Sequence, residues 1–437
     1  MRSTSASRAI LKNPAFRRLC GQMFASATGV YAIYYASVVM VEDITHASAQ
    51  MGLLIFASTL PGFLLGPWAG VVVDRYERIG VLTASNGLRV VGGLGFLFAL
   101  RRLEPPLLLP AIYLCNFAQG SLNQFVAAAE GAILPRLVRS EQLLGANSLL
   151  GVVLLAAEGT GLVVLGPSLW KVGGAQAVVW SAILLGLVSI PLSASLPREK
   201  VVPSAKQARA LVRAWADLKA GWRFVATDRP TFLATLQWAL ASSISLMLST
   251  LAPGLVARGL GMPVENTAYM LVPVGIGVGS GMALVGQRGN RRPNESWIAT
   301  GLLILGGTLA SLSLLYCVDE VWRLPFLLIV ALGVGFGFAL VSIPAATLLQ
   351  ERPPERMRGR VIATRLVLSN AASTLPLPLV GALADQIGIW QTVLLLALLA
   401  LGAGAGNVHH ARAASFTSAS GTPDRANGNG EPEPPLR

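Results

Sequence analysis

The chain has 437 residues, of which 53% are hydrophobic and only 13% charged. Soluble domains carry about 25% charged residues, so there is too little charge to coat a water-exposed surface of this size. That composition excludes a disordered chain, a coiled coil and an ordinary cytosolic enzyme, and it points to lipid as the main solvent. Basic residues outnumber acidic ones by 34 to 21, a net charge of +13. They sit in short gaps between long apolar runs, as in a polytopic membrane protein, and not on one polar face as in a nucleic-acid binder. No nucleic-acid partner is expected.

The N-terminus carries Arg2, Arg8, Lys12, Arg17 and Arg18 ahead of the first apolar run. That run outlasts the core of a signal peptide and reads as a retained membrane helix. Runs long enough to cross about 30 Å of hydrocarbon then recur at 16–41, 48–73, 79–100, 106–129, 142–166 and 174–196. A second set lies at 231–257, 267–287, 296–317, 322–349, 360–385 and 387–406. The expected architecture is therefore an all-α membrane protein with twelve transmembrane helices. Residues 1–15 form an N-terminal segment, 16–196 one six-helix half, 197–230 a central loop and 231–406 the other half. The tail at 407–437, rich in Ser, Thr, Gly, Asn and Pro, is expected to be disordered.

Alternate loops divide the Lys and Arg residues 27 to 5, with Arg89 and Arg365 left inside spans. This bias places both termini and the central loop in the cytoplasm. The halves also repeat. Pro14-Ala15-Phe16 returns as Pro230-Thr231-Phe232, Gly70 as Gly286, Glu141 as Glu355 and Gly166 as Gly381, all at offsets of 214 to 216. A near-constant offset with equal helix counts implies two pseudo-symmetric halves in parallel orientation.

The second span ends in Gly70, three valines, Asp74, Arg75, Tyr76, Glu77 and Arg78. This resembles the helix 2–3 loop signature of the major facilitator superfamily, with Glu77 standing where the signature has its second glycine. The segments Ile133–Val138 with Glu141–Ser148, and Leu349–Arg352 with Arg358–Val361, are similar to the 4–5 and 10–11 loops of its bacterial efflux group, which holds macrolide-efflux and enterobactin-exporter proteins. The resemblance covers roughly residues 12–406. It implies the major facilitator fold, location in the bacterial inner membrane and efflux. It also implies that Gly70, Asp74, Arg75 and Arg78 form a latch closing the cytoplasmic side in the outward-facing state. An ordinary charged turn is the plainer reading of those four residues.

Few ionisable groups lie inside the spans. Glu158, mid-way along the fifth, is the candidate proton-coupling residue, because an ionised carboxylate at that depth costs about 2.5–3.5 kcal/mol unless it faces water or takes up a proton. A structural partner for Arg89, Arg365 or the backbone is the alternative. Glu130 reads as a loop anchor, and Arg89 and Arg365, both near the cytoplasmic side, as able to snorkel. Asp385 reads as a cap or a contact between the halves. Asn116, Gln119 and Asn123 fall on one helical stripe. With Gln22, Tyr34, Gln237, Trp238 and Arg365 they form the candidate substrate cavity, amphipathic and suited to a bulky, partly apolar solute. Helix–helix hydrogen bonding is the competing role for each amide.

Cys20, Cys115 and Cys317 lie in or beside apolar runs and imply no disulfide framework. His46, His409 and His410 assemble no metal cluster. The glycines at 275, 277, 279 and 281 follow no strand, so they signal packing and not a dinucleotide loop. No lysine follows a glycine, which removes a Walker A loop. No cofactor and no enzymatic activity are expected. The reading is a proton-coupled exporter of a small amphipathic molecule, monomeric, with solute, protons and the bilayer as its partners. Transport of a lysophospholipid or another anionic metabolite is the rival reading. A membrane sensor is disfavoured because no loop is long enough to fold an output domain.

Overall fold

A computed structural model describes residues 10–197, 210–259, 261–289, 292–352 and 355–419. Every regular element among them is helical. Helix α1, Pro14–Thr45, opens where the Asn13 side chain accepts from the backbone N–H groups of Ala15 and Phe16, and Pro14 takes the first turn, where no N–H is needed. There follow α2 (Ser48–Arg75), α3 (Arg78–Arg102), α4 (Pro105–Leu137), α5 (Leu143–Gly159) and α6 (Gly166–Ala194). After them come α7 (Ala210–Thr227), α8 (Arg229–Gly254), α9 (Leu271–Arg288) and α10 (Asn294–Ser311). The chain ends in α11 (Glu320–Glu351), α12 (Glu355–Thr374), α13 (Leu377–Ile387) and α14 (Ile389–Ala419). At α8, Asp228 and Pro230 repeat the opening of α1, with the Asp228 carboxylate accepting from the N–H of Thr231.

Nine segments among the described residues are long and apolar enough to cross a membrane. One of them, Ser140–Ala194, has 55 residues, about twice what a single crossing takes. A π-helical turn at Thr160–Leu165 joins α5 to α6, and the helical path then breaks at Gly173 and Gly174, where the backbone leaves the helical region. The fifth run therefore extends past residue 166, its expected end, because Gly166-Pro167 continues the helix and the true stop is the glycine pair.

The chain is patterned inside out. On α3 the exposed large apolar side chains are Leu88, Val91, Leu94 and Phe98, one stripe, while Asn86 and Arg89 are buried. Such a stripe would be an aggregation hazard in water, and in a bilayer it is the lipid-facing surface.

Equivalent helices pair alike in the two parts of the chain. The contacts of α2 with α4, α3 with α4, α3 with α6 and α1 with α5 return as α9 with α11, α10 with α11, α10 with α14 and α8 with α12. The match reaches single residues. Gly120 of α4 lies against the carbonyl of Ser58 on α2, and Gly335 of α11 lies against the carbonyl of Val274 on α9, each so closely that a Cβ would collide. Val274 follows Ser58 by 216 positions and Gly335 follows Gly120 by 215. The main bridge between the two parts is α13 against α2.

Two segments depart from expectation. The stretch 197–230 contains the helix α7, which packs on α12, α8 and α2. The tail expected to be disordered from residue 407 begins as helix, since α14 runs on to Ala419. Ala411, Ala413 and Ala414 favour helix, and extending an existing helix avoids the cost of nucleation. Residues 420–437 lie outside the described residues. Replacing Gly335 with Val should destabilise the protein by about 1–3 kcal/mol through overpacking. Gly402→Val, at a position with open space around it, should not, and thermal melts of the two variants in detergent compare them.

Candidate functional site

A buried polar chain threads α1, α3 and α4. Arg89 Nη1 donates to Ser26 Oγ (2.5 Å), Ser26 Oγ to Asn86 Oδ1 (2.7 Å), Asn86 Nδ2 to Gln22 Oε1 (3.1 Å) and Gln22 Nε2 to Glu130 Oε1 (2.5 Å). Every link points the same way, from the cation that only donates to the carboxylate that accepts, so each bond polarises the next. Arg89 also donates through Nη2 to Asn123 Oδ1 at 2.8 Å, and Gln119 Nε2 reaches the Arg89 carbonyl at 3.4 Å. This corrects two expectations. Arg89 is only 6% exposed and does not snorkel, and Glu130 is only 7% exposed and is not a loop anchor. Both turn inward because water is farther away than their partners across the bundle.

The network draws in several of the predicted cavity residues. Gln22 is fully buried within it, and Gln119 and Asn123 hold Arg89. Asn116 instead donates to Ser37 Oγ on α1 at 2.8 Å and to its own helix at the Ile112 carbonyl. The amide stripe on α4 is thus largely spent on neighbouring helices, with Asn123 its exposed member. Glu158, half-buried on α5, hydrogen-bonds to Tyr31 and lies near Tyr34, both on α1. On the other side of the molecule the Arg365 guanidinium of α12 sits 3.8 Å from the ring centroid of Trp238 on α8. Gln237 is buried beside it in sequence.

A second ionic cluster joins the two parts of the chain at the ends of α1, α8 and α13. Arg258 lies 3.7 Å from Glu42 and 3.9 Å from Asp385, and it donates to Ser48 Oγ at 2.9 Å. Asp385 accepts from the backbone N–H groups of Ser48 and Ala49, both at 2.8 Å, so it caps the start of α2. A carboxylate at a helix N-terminus also meets the positive end of the dipole. Beneath it Gly381 meets the Ser48 carbonyl so closely that no side chain would fit. Tyr35 donates to the Glu265 carbonyl at 3.1 Å, and Lys171 lies over the ring of Tyr269 at 5.9 Å. A cleft of about 530 Å³ lies over this cluster, lined among others by His46, Arg258, Asp385 and Trp390. Asp385 thus has both anticipated roles, cap and bridge. Glu42 and Arg258 were not singled out, since nothing in a single sequence links positions 216 residues apart.

At the opposite end the apolar cluster around Phe16, Leu19, Val73, Ile133 and Leu150 draws only on residues 10–196. Asp74 and Arg75 are exposed there, and a Cβ on Gly70 would meet nothing. Gly70 therefore makes no close crossing in this structure. Among the described residues no cluster of three metal-ligating side chains occurs.

A sequence model described as the Major Facilitator Superfamily matches residues 19–375. The enterobactin exporter EntS of Shigella boydii serotype 18 is 29% identical over 368 residues, covering 80% of each chain. Among solved structures, a bacterial homologue of the iron transporter ferroportin in its inward-facing state aligns with a TM-score of 0.69 at 18% identity, over 90% of this chain and 98% of that one. The nucleoside transporter NupG aligns with a TM-score of 0.69 at 11% identity, over 91% of this chain and 98% of that one. Replacing Arg89 with Met would leave Glu130 as a buried charge without its cation, at a cost of about 3–5 kcal/mol. The double variant Arg89→Met/Glu130→Gln should recover part of that loss. Thermal melts of the four proteins form the cycle, and additive effects would show that the chain of bonds does not couple the two charges.

Proposed function

The chain belongs to the Major Facilitator Superfamily, a family of membrane transporters and not of enzymes, and on that premise we propose that it exports a small amphipathic molecule from the bacterial cytoplasm in exchange for protons. Twelve crossings in two six-helix halves, 16–196 and 231–406, accommodate the nine apolar spans. The 55-residue span counts twice, and α4 and α10 supply the remaining pair. The recurrence of helix pairings supports two related halves that rock against each other. The relative named as an enterobactin exporter supports the outward direction.

The observation that carries the reading is the asymmetry of the ends. With the termini in the cytoplasm, as the distribution of basic residues favours, the Glu42–Arg258–Asp385–Ser48 cluster is a periplasmic gate, and here it is closed. The cytoplasmic apolar cluster stays within one half. This is the arrangement of a carrier that loads from the cytoplasm. In the reverse state the gate parts, and Asp74 and Arg75, with Gly70 and Arg78 beside them, latch the cytoplasmic ends.

Glu158 is the proton carrier in this scheme. Among the described residues it lies beside the phenols of α1, with no cation paired to it. Carrying a proton in one direction and releasing it to admit solute is the economical way to keep a carboxylate at that depth. Gln22, Tyr34, Asn116, Gln119, Asn123 and Gln237 border the path between the halves in this scheme, and Gln22, Asn116, Gln119 and Asn123 also hold α1, α3 and α4 in register. The protein acts as a monomer in the inner membrane.

In proteoliposomes, Glu158→Gln should abolish transport driven by a pH gradient while the protein still melts cooperatively. Unchanged driven transport would remove Glu158 from the coupling step. The gate is tested by spin labels at Val172 and Val321, exposed positions of 85% and 83% in opposite halves. Their separation should lengthen in Asp385→Ala and Arg258→Ala. An unaltered distance distribution would mean that the cluster does not hold the periplasmic side shut.

A further inference from the structure

The segment that joins the two halves carries a face that the transport scheme leaves unused. Residues 197–230 hold eight basic residues against three acidic ones. Within that stretch α7 turns Gly221 and Val225 inward, and Val225 is fully buried in the main apolar core with Phe224 packed against it. The opposite face carries Lys219, Trp222, Arg223 and Ala226, all exposed. Their spacings of three and four keep them within about a third of the helix circumference. Arg229, the first residue of α8, is exposed as well. Among the described residues the charged groups of Lys219, Arg223 and Arg229 form no ion pair and no hydrogen bond.

The depth of this face follows from the helices around it. The apolar span of α8 begins at Arg229, and α7 ends at Thr227, so α7 stops where the hydrocarbon crossing starts. It also packs on α12, whose apolar span starts only at Val367. That is the level of the lipid headgroups. An exposed tryptophan between two cations is the composition of a membrane interface, where the ring meets the acyl boundary and the cations meet phosphate. Lys219 and Arg223 are one turn apart, about 5–6 Å at Cβ, so both reach one phosphate. With no anion between them, two like charges at that spacing oppose the helix. Trp222, 45% exposed, decides between the sources of a phosphate. A dissolved phosphate has no use for an indole, whereas a phospholipid brings apolar surface as well.

We infer that the Lys219, Trp222 and Arg223 face of α7 docks the headgroup of an anionic phospholipid. Its assignment to the cytoplasmic leaflet rests on the orientation proposed above; the binding does not. Because α7 touches α12 and α8 in one half and α2 in the other, the lipid sits on the helix that links them. The full chain, purified in neutral detergent, is titrated with fluorescently labelled phosphatidylglycerol and, as control, with labelled phosphatidylcholine. Phosphatidylglycerol should bind more tightly, and the difference should shrink in about 0.5 M NaCl. Lys219→Gln/Arg223→Gln should weaken phosphatidylglycerol about thirtyfold and leave phosphatidylcholine unchanged, while Trp222→Gln should weaken both. Arg101→Gln/Arg102→Gln removes two exposed cations from the other end of α3 and should change neither. Thermal melts check folding, and Arg223→Gln alone, with a loss of about fivefold, carries the test should the double variant fail to fold. Equal affinity for the two lipids, or an anion preference that survives in a folded α7 variant, would overturn the assignment. So would equal losses in the two double variants, which would mean that net charge alone matters. Displacement of the labelled lipid by inorganic phosphate would also overturn it, in favour of a site for a dissolved anion. No gradient or solute is involved, so failure here leaves the test of Glu158→Gln standing.

Discussion

Hydrocarbon cannot hydrogen-bond, and the rest of the structure follows from that constraint. Every backbone polar group must find its partner within a helix, and every polar side chain must turn away from lipid. The consequence is visible on α3, where Leu88, Val91, Leu94 and Phe98 face outward while Asn86 and Arg89 face in. The polar side chains turned inward from α1, α3 and α4 find their partners in one another and in nearby carbonyls. Five of them form a directional chain that begins at Arg89 and ends at Glu130.

That chain and the ionic cluster at the other end of α1 do different jobs. The buried network lies wholly within one half, so it moves as a unit and stiffens the three helices it joins. The cluster of Glu42, Arg258, Asp385 and Ser48 lies between halves. Its distances of 3.7 and 3.9 Å for the two ion pairs are long for a tight charge-assisted bond, and Arg258 remains partly exposed. In the proposed cycle this contact opens, and modest strength suits that role. The capping bonds from Asp385 to Ser48 and Ala49, at 2.8 Å, give it direction more than strength.

The repeat ties fold to mechanism. Gly120 on Ser58 and Gly335 on Val274 are the same crossing made twice. In the proposed mechanism two similar bundles rock about their interface without repacking their interiors, because each keeps its own close crossings. The interior polar groups do not repeat with the scaffold: the carboxylates of Glu42 and Glu130 are buried in the first half, while in the second Arg365 lies over Trp238 and Arg292 over Trp297. Duplication supplies the frame, and divergence at a few interior positions supplies the chemistry.

Much of this was legible in the residues. Run lengths and the offsets between Pro14 and Pro230 or Gly166 and Gly381 point to helices and duplication, because each is a local or periodic property enforced by the bilayer, and the 27-to-5 distribution of basic residues favours one orientation. The isolation of Glu158 and Arg365 within apolar runs was equally plain. What the sequence could not decide was pairing. Arg89 and Glu130 looked like residues near water, and only the close approach of α1, α3 and α4 links them through Gln22, Ser26 and Asn86. Glu42 and Arg258 carried no local signal at all, and Asn116 proved to be a helix-to-helix bond to Ser37. The physical reason is one of range: hydropathy and charge distribution act along the chain, whereas a hydrogen bond of about 3 Å depends on how helices distant in sequence happen to be packed.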